Sequence, residues 1–263
     1  MFPFSSNSAF YQMIFYLPIY FQSIHGQSAI TSGVNTLPFL AFFAVGALSS
    51  GGIVMKTRYL QPYQLASALV MTAGMALIYT FDINTPKARY IGAEILFGIG
   101  LGFGNQIPLT AVQGLSKPED ITSSTGIIFS KLSNVFNDLH GGLLTLELAC
   151  QSGSAAYFIL IAQSIFANRM LHELRAIAPN LIPGQVLAVG ASDIHKVFTG
   201  EELNLVLRSY MAGIKDVFAF ALAGSAAAVL LSFIVPFKRL PNHDKKKIDG
   251  EGGEENSKNT GSI

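Results

Sequence analysis

The sequence predicts an all-α membrane protein in which six transmembrane helices form one bundle. Half of its 263 residues are hydrophobic and only 13% are charged. The mean hydropathy of +0.43 is higher than that of an ordinary soluble domain of this length. Six apolar stretches approach the roughly 20 residues that are needed to cross a bilayer. They are residues 3–23, 34–54, 62–81, 90–112, 143–167 and 217–237.

The polar segments indicate how the chain is divided. The first stretch does not resemble a cleavable signal peptide, because no basic region precedes it and no small-residue cleavage site follows it. Residues 168–216 predict a long outer loop with short amphipathic helices, since apolar residues recur there every three or four positions. Residues 238–263 have almost nothing to bury, so they predict a disordered tail after a bundle formed by residues 1–237.

Basic residues near the ends of the spans predict the orientation. Those after the last span place the C-terminus in the cytoplasm, and an even number of spans then places the N-terminus there too. They are Lys238, Arg239, Lys245, Lys246 and Lys247. Lys56 and Arg58 fall on the same side, whereas Lys87 and Arg89 fall on the outer side, against the trend. The prediction is a multi-pass protein, with the lipid bilayer as its surroundings and both termini cytoplasmic.

Glycines inside the fourth span predict close contact between helices. Gly98 and Gly102 form one pair at four-residue spacing, and Gly100 and Gly104 form a second. Small residues at this spacing let two backbones approach closely. The pattern suits plain helix packing, and it also suits helices that flank a cavity or slide during a conformational cycle. Pro108 would bend this helix and leave a carbonyl in need of another partner.

Glu94 is the most informative polar residue in the spans. A carboxylate in hydrocarbon costs several kcal/mol, roughly 2.5 to 3.5 on insertion scales for the comparable Asp, so it normally faces a cavity or a partner. Glu94 is therefore a candidate for a substrate path or a proton site. The alternative is an interfacial residue that reaches outward to Lys87 or Arg89.

Four other residues are candidate substrate contacts. Asn105 and Gln106 lie deeper in the same span as Glu94, and Gln151 lies in the fifth. Their amides suit hydrogen bonds to a ligand and equally to a neighbouring helix. Tyr20 is an aromatic candidate for a cavity wall, with ordinary packing as the alternative.

Several other functional classes are not predicted. The chain has no phosphate-binding P-loop, no GxSxG motif and no HExxH motif. The single cysteine, Cys150, excludes an intrachain disulfide and a multi-cysteine metal site. The five histidines are scattered, and a net charge of +1 gives no reason to expect nucleic acid as a partner. We therefore expect no catalytic residue, metal or cofactor, and no enzyme.

Four segments carry a resemblance to a known family. They are "FYLPIYFQSIHGQSAITSGVNTLP" at 15–38, "ARYIGAEILFGIGLGFGNQIPLTAVQ" at 88–113, "AQSIFANRML" at 162–171 and "YMAGIKDVFAFALA" at 210–223. In order and spacing they resemble the C-terminal half of fungal major facilitator superfamily transporters, in particular the fourteen-helix drug:proton antiporters. "GGIVMKTRYLQP" is similar to the basic loop motif of that superfamily, with Arg58 and Tyr59 at the matching positions.

The resemblance implies an exporter of hydrophobic or amphipathic small molecules, such as drugs or toxic secondary metabolites, in the plasma membrane. In that family the cavity lies between two six-helix halves, and one half rocks against the other. Protons are implied as a partner by the family alone, because the glycine-rich antiporter motif belongs to the N-terminal half. Glu94 departs from the uncharged polar residue expected at its position. A second half-transporter or a homodimer would complete the cavity, and the alternative is a truncated, non-transporting membrane protein.

Two features depart from the family pattern. Met1 falls inside what should be the first helix of the C-terminal half. Residues 130–149 place charged groups in the middle of a span, and joining "TGIIF" directly to "CQS" would leave an uninterrupted apolar stretch. We favour a retained intron as the source of 130–149. The alternative is a genuine amphipathic cytoplasmic helix, after which the span begins near Leu143. Sequencing the native transcript decides between them.

Overall fold

The computed structural model describes residues 2–57, 59–115, 139–181 and 183–234. The chain is helical throughout these ranges apart from short connections, as the composition predicts. The helices are α1 (Phe2–Ser23), α2 (Ala29–Thr57), α3 (Gln61–Tyr79), α4 (Lys87–Leu115), α5 (Leu139–Ile177), α6 (Pro183–Ala188), α7 (Ile194–Val197) and α8 (Gly200–Ser232). The long helices α1 to α5 and α8 overlap the six predicted spans.

Two of the described helices are long and apolar enough to count as membrane spans by length and composition. They are Ala29–Val54 within α2 and Gly200–Ser232, which is α8. Only 22% and 33% of their most apolar windows are buried within the protein. Large apolar side chains such as Ile30, Leu48 and Leu230 point outward from them and are 82%, 81% and 70% exposed. A helix with an apolar outer surface suits lipid, whereas a core helix of a soluble protein would be covered.

Within 168–216, for which the sequence predicts an outer loop with short amphipathic helices, the two long helices extend further than their predicted spans. Helix α5 continues without a break to Ile177, and α8 already begins at Gly200, so the connection is limited to 178–199 with its two short helices. The physical reason is that the apolar spacing belongs to the long helices themselves. Met170 and Leu174 on α5 are fully buried against the bundle. With 33 residues, α8 is about 50 Å long and therefore extends beyond a hydrocarbon layer of about 30 Å.

Several predictions fall on residues outside the described ranges. Arg58 and the tail at 238–263 lie outside them. Of the suspected insert, residues 130–138 also lie outside, while 139–149 form the first turns of α5. The origin of 130–149 therefore stays a prediction.

The helices pack as two connected groups. Helix α4 lies between α2 and α3, while α1 packs against α8 and α5, and α3 joins the groups through α8. Large aromatic and sulfur-containing side chains fill the space between them. The fully buried ones include Tyr16, Phe21, Phe39, Phe97, Phe218, Met71 and Met75. Such side chains supply much contact area per residue, and methionine adapts to irregular gaps.

Glycines bring α4 into backbone contact with α2. A Cβ placed on Gly98 would lie 2.6 Å from the carbonyl oxygen of Phe39, and one on Gly102 would overlap the carbonyl oxygen of Phe43. From the other side, a Cβ on Gly46 would lie 2.6 Å from the carbonyl oxygen of Ile99. Since the obstructing atoms are backbone, no side-chain rotation relieves these contacts. This interface requires glycine.

The opposite side of α4 packs on α3 in the same manner. A Cβ on Gly74 would lie 2.5 Å from the backbone nitrogen of Phe97, and one on Gly100 would overlap the backbone of Met71. The Ser67 hydroxyl donates a hydrogen bond to the Gly100 carbonyl at 2.8 Å, across the two helices. Gly104 is also buried. Gly98 and Gly102 therefore contact α2 and Gly100 contacts α3, so α4 is held between these two helices.

Candidate functional site

The candidate site is centred on Glu94 of α4. Its side chain is fully buried, and neither carboxylate oxygen has a hydrogen-bond partner among the described residues. Tyr90, Glu94, Gly98 and Gly102 follow each other at four-residue spacing, so they share one side of the helix. Gly98 contacts α2 at Phe39, which places Glu94 near the α2 side of α4. A charge in this position would lack compensation, so the surroundings favour the neutral acid.

The outward pairing considered for Glu94 is not formed. The Arg89 side chain donates instead to the Thr80 hydroxyl at 2.9 Å. Glu94 lies seven residues into α4, which is about 10 Å from its first residue. Its side chain is fully buried in the bundle, whereas Lys87 and Arg89 are exposed at the start of the helix. The Glu94 carboxyl group is therefore covered by protein and not paired with either cation.

Tyr90 lies one helical turn from Glu94 and is also buried. It is 1% exposed, and its hydroxyl has no hydrogen-bond partner within the described part of the chain. Its ring contacts Phe21 of α1 edge to face, with 4.8 Å between centroids, and lies 6.3 Å from the imidazole of His25. A buried phenol normally finds a partner. Two unsatisfied polar groups on successive turns are therefore the distinguishing feature of this site.

His25 joins this pair to the end of the bundle. It follows α1 and its imidazole is half-buried. Its Nε2 atom lies 3.2 Å from the Tyr20 hydroxyl oxygen, and that hydroxyl donates to the carbonyl of Asp82 at 2.8 Å. Because a phenol has one proton to donate, His25 donates from Nε2 to Tyr20. Burial, and secondarily the charge of Lys87, lower the pKa of His25.

A second histidine closes the same end. The Nε2 atom of His195 on α7 lies 2.8 Å from the carbonyl oxygen of Ser23 and donates to it. Its ring lies against Gly26, where an added Cβ would be 3.1 Å away. Gly26 has a φ of +62°, which favours glycine. The α6–α7 connection is thereby held against the α1–α2 turn.

Ion pairs connect further helices at this end. Lys215 on α8 lies 3.6 Å from Asp82 in the α3–α4 turn, and Arg169 on α5 lies 3.5 Å from Asp216. These side chains are largely exposed, so each pair contributes little to stability. Together with the hydrogen bonds of Tyr20 and His195, these pairs show which segments lie on one side of the molecule. This side, which we call the His25 end, contains the end of α1, the α3–α4 turn, the far part of α5 and the first half of α8.

A polar stripe runs along the other half of α1. Ser5 donates to the Gly224 carbonyl of α8 at 2.7 Å, and Gln12 donates to Ser8 at 2.8 Å. The Gln12 carbonyl oxygen is buried without a partner among the described residues. One turn further, the Tyr16 hydroxyl donates to Gln163 of α5 at 3.4 Å. This stripe faces α8 and α5, away from Glu94.

The predicted site residues do not form one cluster. Asn105 lies three turns beyond Glu94 on α4, with its amide oxygen buried and without a partner among the described residues. Gln106 is half-buried beside it and makes a polar contact. Tyr20 lies at the His25 end, where its hydroxyl is occupied. The side chains of Pro108 and Gln151 lie outside the described residues.

Sequence reasoning missed His25, Tyr90, Asp82 and Gln12. From the sequence alone, His25 is grouped with the other scattered histidines, and none of the remaining three is named as a candidate. A signal existed for one of them, because Tyr90 precedes Glu94 by four residues and so shares its face. For His25 the sequence gives no signal of its link to this site, since its contact with Tyr90 joins α4 to the turn after α1.

Comparison with known proteins finds transporters. The chain is 58% identical over 241 residues to a dehydrocurvularin exporter of Alternaria cinerariae, covering 92% of this chain and 38% of the relative. It is 57% identical over 260 residues to a dehydrocurvularin exporter of Aspergillus terreus, with 98% and 42% covered. An MFS-type transporter, thnB, of Trichoderma harzianum is 36% identical, with 88% and 37% covered.

The chain therefore spans about two fifths of the length of these curated relatives. The relatives are named as transporters and exporters, and such proteins are not enzymes. No protein-family model matches the chain.

Proposed function

Since the chain belongs to the fungal MFS-type transporters, we propose that it forms the C-terminal half of an exporter that moves hydrophobic or amphipathic small molecules by proton antiport and alternating access. The single observation that carries this proposal is the similarity to named exporters along almost the whole chain. The buried, unpartnered carboxyl group of Glu94 supports the proton-coupled part, because an ionisable group inside a membrane protein usually marks a substrate or proton path.

The six long helices supply the proposed architecture. Each is at least 19 residues long, which is close to one bilayer thickness. The contacts at the His25 end support alternating directions, because they join the end of α1, the start of α4 and the far part of α5. Six crossings follow if each long helix spans the bilayer once. With positive residues inside, both termini are cytoplasmic and the His25 end faces outward.

The proposed substrate contacts lie at different depths. Glu94 and Asn105 offer buried polar atoms without partners in the described part of the chain. Gln106 is the neighbouring amide, and Gln151 is proposed from sequence alone. Tyr20 would act at the outer end, where releasing Asp82 frees its hydroxyl for a ligand. In a complete transporter these groups would face a second half, supplied by another chain segment or by a homodimer.

The relatives suggest the first compound to test. Two of them, both more than half identical to this chain, are named as dehydrocurvularin exporters. We propose dehydrocurvularin or a molecule of similar size and polarity as the substrate, and the plasma membrane as the location. Cavity side chains change specificity without changing the fold, so related compounds belong in the same experiment.

The experiment is an efflux assay in a yeast strain that lacks its own drug pumps. The protein translated from the native transcript and the present chain alone are expressed separately, and retained dehydrocurvularin is measured with and without a proton uncoupler. We expect the protein from the native transcript to export dehydrocurvularin, and we expect the uncoupler to reduce this export. Export by the present chain alone would indicate a homodimer. If neither lowers retention despite surface expression, a non-transporting membrane protein is the better description.

A further inference from the structure

We propose that Glu94 binds the proton that drives export, and that Tyr90 and His25 form the route by which this proton arrives from the outer side. The inference rests on the proposed antiport and assigns it to one group and one path. Three titratable side chains follow one another from the surface to the interior of the bundle. They are His25 in the α1–α2 turn, then Tyr90 and Glu94 on α4.

Glu94 is distinct from the other carboxyl groups of the described residues. It is the buried one among them, whereas Asp82, Glu173, Asp193 and Asp216 are exposed or half-exposed and take part in ion pairs. Neither of its oxygens has a side-chain partner or a hydrogen bond within 3.5 Å among the described residues, and the polar group that approaches it is the backbone of Phe39 on α2. A structural carboxyl group would be satisfied, because a buried polar group without a partner destabilises the fold. An unsatisfied one is available to gain and lose a proton.

Tyr90 has the position that a relay requires. It is on the turn of α4 between Glu94 and the His25 end, and its hydroxyl is buried without a partner among the described residues. A phenol both accepts and donates a proton, so one hydroxyl can connect two neighbours. The distance of 6.3 Å between the Tyr90 and His25 rings shows that the two are adjacent. The proposed route requires a side-chain rotation or one bridging water molecule to connect the Tyr90 hydroxyl to the imidazole.

His25 supplies the outer acceptor. Its ring is half-buried in the α1–α2 turn and donates through Nε2 to Tyr20, so an incoming proton binds Nδ1. The groups that face it are Tyr20 from α1 and Lys87 and Tyr90 from α4, and Asp82 in the α3–α4 turn lies behind the Tyr20 hydroxyl. His195 approaches from α7, across Gly26. The positive charge of Lys87 opposes a lasting charge on His25, which suits a group that passes the proton on.

The transfer leaves charge and atoms balanced. A proton from the outer solution binds Nδ1 of His25, and a proton of the imidazolium passes to Tyr90, whose own hydroxyl proton passes to the Glu94 carboxylate. The products are neutral His25, neutral Tyr90 and the neutral acid, and no electron moves. Among the residues facing Glu94 along its own side of α4, Tyr90 is the titratable one, and Gly98 and Gly102 follow it. From α2 the group that approaches Glu94 is the backbone of Phe39.

The first test measures the proton on Glu94 directly and needs no transported compound. Infrared difference spectra of the protein from the native transcript, held in membranes while the buffer pH is changed, report the carbonyl stretch of a protonated carboxyl group. We expect a band that grows as the pH falls, is lost in Glu94→Gln and is kept in Glu173→Gln, a matched change at a half-exposed carboxyl group. A band unchanged in Glu94→Gln, or one that does not respond to pH, would overturn the assignment of the proton to Glu94.

The second test addresses the route. After a rapid drop of outer pH, the growth of the Glu94 band should slow at least about tenfold in Tyr90→Phe and in His25→Asn, since a lost acid–base group typically costs a factor of about 100 or more. Tyr79→Phe and His172→Ala are matched controls at exposed positions and should leave the rate unchanged. Tyr90→Phe keeps the ring packing, so it remains informative if His25→Asn folds poorly. Wild-type rates in both relay variants would exclude this route.

The proposed exporter function and the proposed proton site can be disproved independently of each other. A Glu94 band that titrates through His25 and Tyr90 in a protein that exports nothing would count against the proposed function and leave the proton site standing. Uncoupler-sensitive export by a protein whose Glu94 band does not titrate would overturn this inference and leave the exporter standing.

Discussion

At the scale of single residues, the main result is the contrast between Glu94 and the carboxyl groups around the bundle. Asp82 and Asp216 at the surface form ion pairs, whereas the oxygens of buried Glu94 have no hydrogen-bond partner within 3.5 Å among the described residues. Sequence alone marked Glu94, because a charge inside an apolar run is costly wherever the helix lies. Its neighbours Tyr90 and His25 became visible only when α1 and α4 were packed together.

Replacement of Glu94 by leucine should stabilise the protein and abolish proton-driven export. Removing a buried carboxyl group without a partner relieves a cost of about 1 to 3 kcal/mol. Thermal unfolding in detergent should therefore occur at higher temperature for Glu94→Leu, while efflux in the yeast assay is lost. Glu173→Leu, at a half-exposed residue paired with Arg169, is the control and should not raise the unfolding temperature. A lower unfolding temperature for Glu94→Leu would indicate a structural role for the carboxyl group.

Acidification should loosen the turn that contains His25. Its pKa is lowered from 6.5 by burial and by Lys87, so the stability that neutral His25 contributes is present above that value and is lost as the pH falls through it. Amide hydrogen exchange in residues 20–28, corrected for intrinsic rates, should increase between about pH 7 and about pH 5. In His25→Asn this dependence should disappear. Equal exchange at both pH values in the wild type would contradict the expectation.

At the scale of helices, α4 is the element on which the bundle depends. Its glycines alternate between two neighbours, so α2 and α3 both approach its backbone. The sequence predicted close packing from the paired glycines, and the structure assigns a partner helix to Gly98, Gly100 and Gly102.

Valine at Gly98 should destabilise the α2–α4 pair. The added Cβ would lie 2.6 Å from the Phe39 carbonyl oxygen, which cannot move without shifting α2. We expect a loss of about 1 to 3 kcal/mol, as for overpacking in a dense core. Gly92→Val on the same helix is the matched control, because nothing lies within 4 Å of a Cβ there. The two variants are compared by thermal unfolding in detergent, and equal stability would argue against a tight α2–α4 contact in the membrane.

Loss of the Ser67 hydroxyl should weaken the contact between α3 and α4. Ser67→Ala removes the hydrogen bond to the Gly100 carbonyl and leaves a small side chain that fits the same space. The expected loss is about 1 kcal/mol. Ser164→Ala is a suitable control, since that hydroxyl bonds only within its own helix. An identical effect of both changes would show that the hydroxyl bond across helices adds nothing.

At the scale of the whole molecule, three of the connections between helices lie together at the His25 end, as expected if this end is on one side of a membrane. The α1–α2 turn, the α3–α4 turn and the segment between α5 and α8 contact one another there. This arrangement agrees with helices that alternate in direction. It makes the orientation of the chain testable without knowledge of the transported compound.

Cysteines placed in these three connections should react from the same side of the membrane. In a Cys150→Ala background, Ser28→Cys, Asn84→Cys and Ser192→Cys each occupy an exposed position. A membrane-impermeant thiol reagent added to intact cells should label all three, and Lys56→Cys only after the membrane is opened. Labelling of Lys56→Cys together with the others in intact cells would contradict the proposed six crossings.

The apolar composition and its periodicity by themselves determined a helical membrane protein, because a chain that is half hydrophobic must bury its backbone polar groups in helices when it lies in lipid. They also identified Glu94 as a carboxyl group inside an apolar stretch, where a charge costs free energy. Tertiary structure decided the rest. The spacing at 168–216 is the same for a short surface helix and for the extension of a long one, and only contacts with neighbouring helices distinguish them. Likewise, Tyr20 meets Asp82 and His25 meets Tyr90 only because α1 packs near the α3–α4 turn and the start of α4, and no local pattern encodes contacts between such distant positions.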